Sequence, residues 1–195
     1  MNTRETTHEP FDLHLHSSCS DGSDTPTEVV RAAAARGITM LALTDHDNVS
    51  GVPEAMAEAE RIGVRLLPAI EMDAEWPHEM HILGLDIDTE EPQMKQALET
   101  ALIRRGKRNA EIAARLKEIG CDISAFLPRE IGTATRLNIA LALVEGGFAA
   151  DTREAFGKYL RKGCPGYYTV ERFSPEEIIR LIRGAGGVPV WAHPL

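Results

Sequence analysis

Residues 11–16 alternate strictly between apolar and polar side chains, with Phe11, Leu13 and Leu15 on one face and Asp12, His14 and His16 on the other. A period of two marks a half-buried strand, and a polar face of this composition predicts that the strand lines a site. The following residues switch to helical punctuation. Thr25, Pro26 and Glu28 make a capping box with proline at the first helical position, and Gly37 closes that helix. Residues 38–45 read as a second strand, the stretch from Pro53 to Gly63 as a second helix, and residues 64–71 and 80–86 as two further strands. The first 88 residues therefore have the order βαβαββ.

From Pro92 to Ile119 the only turn signal is Gly106, which predicts one long helix or two, ended by Gly120. Residues 135–145 and 151–160 supply two more helices. Ser174, Pro175 and Glu177 repeat the capping-box signature, Gly184 ends that helix, and residues 188–192 form a last strand. Strands that alternate with helices predict a parallel sheet or barrel whose functional residues sit at the carboxyl ends of the strands. His14 and His16 end the first strand, His46 follows the second, Glu71 ends the third and His193 follows the last. His81 is the exception, because it starts its strand.

Composition narrows the class. A chain of 195 residues with 43% hydrophobic and 26% charged residues is neither a disordered tail nor a fibre, and its size suits one domain, or one domain with an insertion. No apolar run approaches the ~20 residues of a bilayer span, and the start MNTRETTHEP lacks the basic-then-apolar order of a signal peptide, so a cytoplasmic location is expected. Cys19, Cys121 and Cys164 fit neither a disulfide framework nor a metal knuckle and are expected to be free thiols. The net charge of −9 would repel nucleic acid if it were spread evenly. It is segregated: residues 89–168 hold 13 basic and 10 acidic side chains, net +3, and the remainder 8 against 20, net −12. An anionic ligand should meet the middle segment, or metal ions held by the acidic part.

Candidate chemistry gathers at the strand ends. In His14-Leu-His16 the alternation points both imidazoles the same way with Cα atoms about 6.6 Å apart, which suits two ligands of one ion or of adjacent ions, or a hydrogen-bonded pair. Asp21, in Ser20-Asp-Gly-Ser23, can swing over a metal or serve an Asp-Gly turn. Asp45-His-Asp47 flanks an imidazole with carboxylates, the arrangement that fixes the tautomer of a ligating histidine. Glu71 closes an apolar strand, so its partner is a cation, either a metal ion or a buried arginine. Imidazole and carboxylate without thiolate suit Mn, Fe or Zn, and paired divalent ions suit phosphoryl displacement. Arg104, Arg105, Lys107 and Arg108 crowd one helical turn and read as a solvated face. The two tryptophans and three tyrosines are too sparse to argue a stacking platform for nucleic acid.

Taken in order, Asp12-Leu-His-Leu-His16, Ser20-Asp-Gly22, Thr44-Asp-His46, the Glu71 strand end, His81 in His-Ile-Leu-Gly, and Ala192-His-Pro194 resemble successive motifs of the PHP (polymerase and histidinol phosphatase) superfamily. Arg136-Leu-Asn-Ile-Ala140, Ala155-Phe-Gly-Lys-Tyr-Leu160 and Gly163-Cys-Pro-Gly-Tyr167 are similar to the lid insertion of its members that act on nucleotides. The resemblance implies an α/β fold, a distorted seven-stranded (β/α) barrel, with barrel residues 1–88 and 169–195 and a helical lid at 89–168. It implies two or three divalent ions, most commonly Mn, on His14, His16, Asp21, His46, Glu71, His81 and His193. It also implies a phosphoric ester hydrolase. In that reading a metal-bridging hydroxide attacks phosphorus while Arg136 and the ions neutralise the developing charge. Substrates would be nucleoside 3′,5′-bisphosphates, nucleoside monophosphates or the 5′ ends of short RNA, with no membrane and no stable duplex nucleic acid as partner.

Two departures qualify the likeness. The lid motif usually reads Arg-Pro-His, where this chain has Arg136-Leu-Asn138, which leaves Asn138 in the substrate position of that histidine. The family also carries an Asp-x-His ligand pair beyond the residue equivalent to Leu195, so His193 and that pair are both candidates for the general acid. Five strands are too few to close a barrel of eight βα units, which takes ~250 residues. The expectation is therefore an open sheet, which is a prefix of a longer polypeptide, is completed by another chain or is a defective remnant, with Asp45, Asp47 and Asp86 the substitutes to examine otherwise. The alternatives are a module that binds metal or nucleotide without turnover, and a histidinol-phosphate phosphatase.

Overall fold

The computed structural model describes residues 9–76, 80–128 and 131–194. The amino-terminal residues used to argue against a signal peptide lie largely outside them, since the description starts at Glu9. Five strands, β1 (Phe11–Leu15), β2 (Met40–Leu43), β3 (Arg65–Asp73), β4 (His81–Leu85) and β5 (Val188–Trp191), form one sheet in the order β1-β2-β3-β4-β5. Helices α1 (Pro26–Ala35) and α2 (Val52–Ile62) make the parallel crossovers between β1, β2 and β3. The expected all-parallel sheet is corrected at β4, which pairs antiparallel to both β3 and β5. Residues 74–80 between β3 and β4 are too few for a parallel crossover, which needs a dozen or more. The result is a mixed α/β sheet in which β1, β2, β3 and β5 point one way and β4 the other.

Local chemistry sets the helices. The Thr25/Glu28 and Ser174/Glu177 capping boxes open α1 and α6 (Pro175–Gly184) as expected. Residues 92–118 form a single helix, α3 (Pro92–Glu118), about 40 Å long, whose first turn is capped when the Glu91 carboxylate accepts from Met94 N. Thr135 and Asn138 close a third capping box at α4 (Arg136–Glu145). The expected helix at 151–160 is instead one α-turn, α5 (Thr152–Ala155), that widens into a π turn over Phe156–Leu160.

Three apolar clusters hold these elements. Val30, Leu41, Leu43 and Ala55 pack α1 and α2 on the sheet. Ile70, Met72 and Ile82 pack against Met94 and Leu98 of α3 and Ile178 and Ile182 of α6. Gly84 permits that contact, because a Cβ there would lie 2.9 Å from Ile182 Cγ1. Farther along α3, Ile112 and Leu116 join Ile139, Leu143 and Leu160 in a separate cluster. One helix thus roots in the sheet at its start and carries a helical layer at its end.

Candidate metal centre

The parallel register explains why ligands from distant residues meet. Leu15 pairs with Leu43, and Leu43 with Pro68, so β3 runs on past its neighbours and carries Glu71 beyond them. A parallel bridge between His46 and Glu71, with Asp47 N donating to Glu71 O at 2.8 Å, brings the post-β2 turn beside that carboxylate. The antiparallel β4 resolves the His81 exception. Asp73 pairs with His81, so the start of β4 lies at the site end of β3. Ala192 N donates to His81 O, which sets His193 beside it.

All five histidines among the described residues surround Glu71, whose side chain is 1% exposed. Glu71 Oε2 lies 3.0 Å from His14 Nε2, 3.1 Å from His16 Nε2 and 3.6 Å from His46 Nε2. Its Oε1 lies 3.1 Å from His81 Nδ1 and 3.2 Å from His193 Nε2. The rings form a closed circuit, His14–His16–His46–His81–His193 and back to His14, with successive centroids 4.9 to 5.8 Å apart. Asp21 completes the set, 3.5 Å from His16 Nδ1 and 3.6 Å from His46 Nε2. All seven ligand candidates therefore converge.

The loop that carries Asp21 is fixed from beneath. Asp45 accepts from Ser17 N at 2.7 Å, Ser17 Oγ at 2.6 Å and Ser20 Oγ at 2.6 Å. A Cβ on Gly22 would lie 2.5 Å from His16 O, so only glycine lets the loop fold back on the strand. Asp45 is thereby committed to the loop, and Asp86 follows β4 at the opposite end of the sheet, so neither is a substitute ligand. The carboxylate that steadies His46 is neither flanking aspartate. Asp73 takes that part, 3.2 Å from His46 Nδ1, and Asp73 is a residue the sequence reading did not single out.

The expected solvated face of α3 is also corrected. Arg105 and Arg108 are each only 6% exposed. Arg105 donates to His46 O at 3.0 Å and pairs with the Asp47 carboxylate. Arg108 Nε donates to Asn109 Oδ1, and its buried Nη2 has no hydrogen-bond partner among the described residues. A cavity of about 140 Å³ separates the two charge types: Asp21, His46, Asp73 and His81 face Arg105, Arg108, Arg136 and Arg172 across it. Arg136 stands at the first turn of α4 as expected. Asn138 does not line the cavity, because its carboxamide oxygen is taken by Thr135 N and Oγ1 in the helix cap.

Electrostatics follow from this layout. Burial pushes the Glu71 carboxyl up, but hydrogen bonds from His14, His16 and His81 hold it far below the usual carboxylate range. Burial likewise pushes the Asp73 carboxyl up, but the His46 hydrogen bond and the Arg105 charge outweigh it and hold the group well below the usual carboxylate range. His46 is pulled down by burial, yet the Asp73 hydrogen bond and the charges of Asp73, Glu71 and Asp21 raise it to about 9. Burial and the Arg105 charge press the Arg108 guanidinium down to about 10.

Three trios, His14/His16/Glu71, His16/Asp21/His46 and His46/Glu71/His81, each hold their ligand atoms within 4.8 Å of one another. Imidazole and carboxylate donors packed at this density fit divalent cations. The sequence profile of the PHP domain family matches residues 12–127. The chain belongs to the PHP domain family. It is 40% identical over 94% of its length to a 3′,5′-nucleoside bisphosphate phosphatase of Chromobacterium violaceum, 66% of which is covered. It is 35% identical over 95% of its length to a 5′-3′ exoribonuclease of Haemophilus influenzae, 69% of which is covered. Among solved structures it is similar to one described as a metal-dependent phosphoesterase from Bifidobacterium adolescentis, with TM-score 0.84 and 27% identity, over 95% of this chain and 67% of that one. The chain spans about two thirds of the length of these relatives.

Proposed function

We propose that this PHP chain is a metal-dependent phosphoesterase that hydrolyses phosphate monoesters of nucleotides: a nucleoside 3′,5′-bisphosphate, a monophosphate, or the 5′ end of a short RNA. The observation that carries the reading is the cavity itself, with the trio members Asp21, His46 and His81 on one wall and guanidinium groups on the other. A phosphate monoester is the ligand that satisfies both walls at once. The unpartnered Arg108 Nη2 and the amino terminus of α4, where Thr135, Arg136 and Leu137 line the cavity, favour phosphoryl oxygens. The names of the two curated relatives point the same way.

His14, His16, Asp21, His46, Glu71, His81 and His193 would hold two or three divalent ions, Mn being the first choice and Fe or Zn the alternatives. Such ions supply an acidified water and neutralise charge on the phosphoryl group. Arg108, Arg136 and Arg172 bind and orient the phosphoryl oxygens. His193, the most exposed of the imidazoles at 54%, is the residue we assign to return a proton to the leaving alcohol. Residues 89–168 act as a cap over a barrel whose full count we take to be seven strands. The three cysteines stand as free thiols, which supports a cytoplasmic, reducing compartment.

Beyond Arg136, Phe156 and Arg172 the cavity opens into a cleft of about 800 Å³ lined also by Trp76, Arg153, Arg161, Lys162 and Tyr167. Aromatic residues that are sparse along the chain meet here among cations, which suits the rest of a nucleotide or oligonucleotide. The test is phosphate release from a nucleoside 3′,5′-bisphosphate with Mn(II) present and after chelation. Turnover that requires the ion supports the reading. No release from any nucleotide substrate at full metal occupancy contradicts it.

A further inference from the structure

Arg105 belongs to α3, yet its guanidinium reaches across to the turn after β2 and the end of β3. Nη1 donates to the His46 carbonyl at 3.0 Å, and Nη2 pairs with the Asp47 carboxylate and lies 4.0 Å from Asp73 Oδ2. The Asp47 carboxylate is also tied to the main chain of Asp73, since Asp47 Oδ1 accepts from Asp73 N at 3.2 Å. Asp73 Oδ1 in turn lies 3.2 Å from His46 Nδ1. One guanidinium thus holds the main chain of His46 directly and its ring through Asp73. The turn needs holding, because Asp47 sits at φ 44°, a left-handed conformation that costs an L-residue unless its surroundings enforce it.

We propose that Arg105 is a positioning residue for the metal centre, fixing the His46 ring so that its Nε2 serves the two trios that contain it. This rests on the metal reading given above. With Nδ1 engaged by Asp73, His46 Nε2 lies 3.6 Å from both Asp21 Oδ2 and Glu71 Oε2, between the other members of those trios. The His14/His16/Glu71 trio excludes His46 and meets this network only through its shared members His16 and Glu71, so it should depend on the anchor least. Partners that orient a ligating imidazole typically contribute 10–100-fold to metal affinity. Because the anchor comes from α3, metal affinity at the sheet is tied to the helix that carries the helical layer.

The experiment compares the wild type with Arg105→Lys and with the double variant Arg105→Gln/Asp47→Asn. The double variant removes both members of the buried ion pair together, so that no unpaired charge remains to unfold the protein. Arg104→Ala, a half-buried neighbour paired with Glu171, is the control. Mn(II) titration followed by calorimetry and elemental analysis should show the ion at His14/His16/Glu71 bound within about twofold of wild type. The ions that need His46 should weaken about 10–100-fold, less in Arg105→Lys. In metal-free protein, the Nδ1 resonance of His46 should lose the shift that its hydrogen bond to Asp73 gives it. Uniform weakening of all ions in step with melting temperature would reduce Arg105 to a structural staple and overturn the proposal, as would unchanged affinities. A wild type that takes up no Mn(II) defeats the metal reading instead. The His46 resonances of the metal-free variants then decide the positioning role, and an unchanged Nδ1 resonance overturns it.

Discussion

Replacing Arg136 by alanine separates substrate binding from metal binding. In the free protein this side chain makes one long hydrogen bond, Nη2 to Tyr168 O at 3.3 Å, and sits 5.4 Å above the Tyr167 ring. Losing a weak hydrogen bond and a half-buried cation–π contact costs about 1–2 kcal/mol together, or roughly 2–8 °C in melting temperature for a chain of this size. Toward substrate the loss is larger. A charge-assisted bond to a phosphoryl oxygen is worth about 1.5–3 kcal/mol, which corresponds to about a 10- to 150-fold drop in kcat/KM. Arg136 is no member of the ligand trios, so ions per chain should stay at the wild-type value. Steady-state kinetics on a nucleoside 3′,5′-bisphosphate, with elemental analysis of the same samples, reads both quantities. Loss of metal with activity, or kinetics unchanged within twofold, would refute the assignment of Arg136 to the phosphoryl group.

His14→Ala and His46→Ala should each lower kcat by about three orders of magnitude or more and cut metal content, with circular dichroism unchanged. Retention of wild-type metal content and turnover would sink the ligand assignment. In metal-free protein His46 titrates at about 9 against an ordinary 6.5, so its protonated form stabilises the fold fully below pH 6.5 and that contribution is lost as pH rises through 9. Melting temperature of the metal-free wild type, relative to His46→Gln, should therefore fall across that window; with saturating metal it should rise, because protons compete with the ion. Arg161→Ala/Lys162→Ala should leave a mononucleotide substrate within about twofold of wild type and raise KM for a pentanucleotide about tenfold, with a shallower salt dependence. Equal effects on both substrates would remove the cleft from the substrate path.

Much of this architecture is legible along the chain because period and punctuation agree. The alternation at Phe11–His16 and the Thr25 and Ser174 capping boxes each mark an element that the fold contains. The strand-end histidines and Glu71 were visible for the same reason. Asp73 was within reach: it lies two residues past Glu71, on the same face of a strand that runs on to Asp73. Arg105 and Arg108 were not. A run of four basic residues in five looks solvated when only its own helix is considered, and what buries two of them is the turn at Asp47 and the start of α4, far away in sequence. The cap that Asn138 makes is a similar case. At the third position of a helix after threonine, a carboxamide finds the backbone cap before it finds a ligand.

Anomalous diffraction from crystals soaked in Mn(II), recorded on both sides of the manganese edge, tests the central claim most directly. The account predicts two or three peaks around Glu71, each within coordination distance of members of one trio: His14, His16 and Glu71; His16, Asp21 and His46; or His46, Glu71 and His81. The absence of any peak within reach of the Glu71 carboxylate, with the five imidazoles still gathered around it, would contradict it.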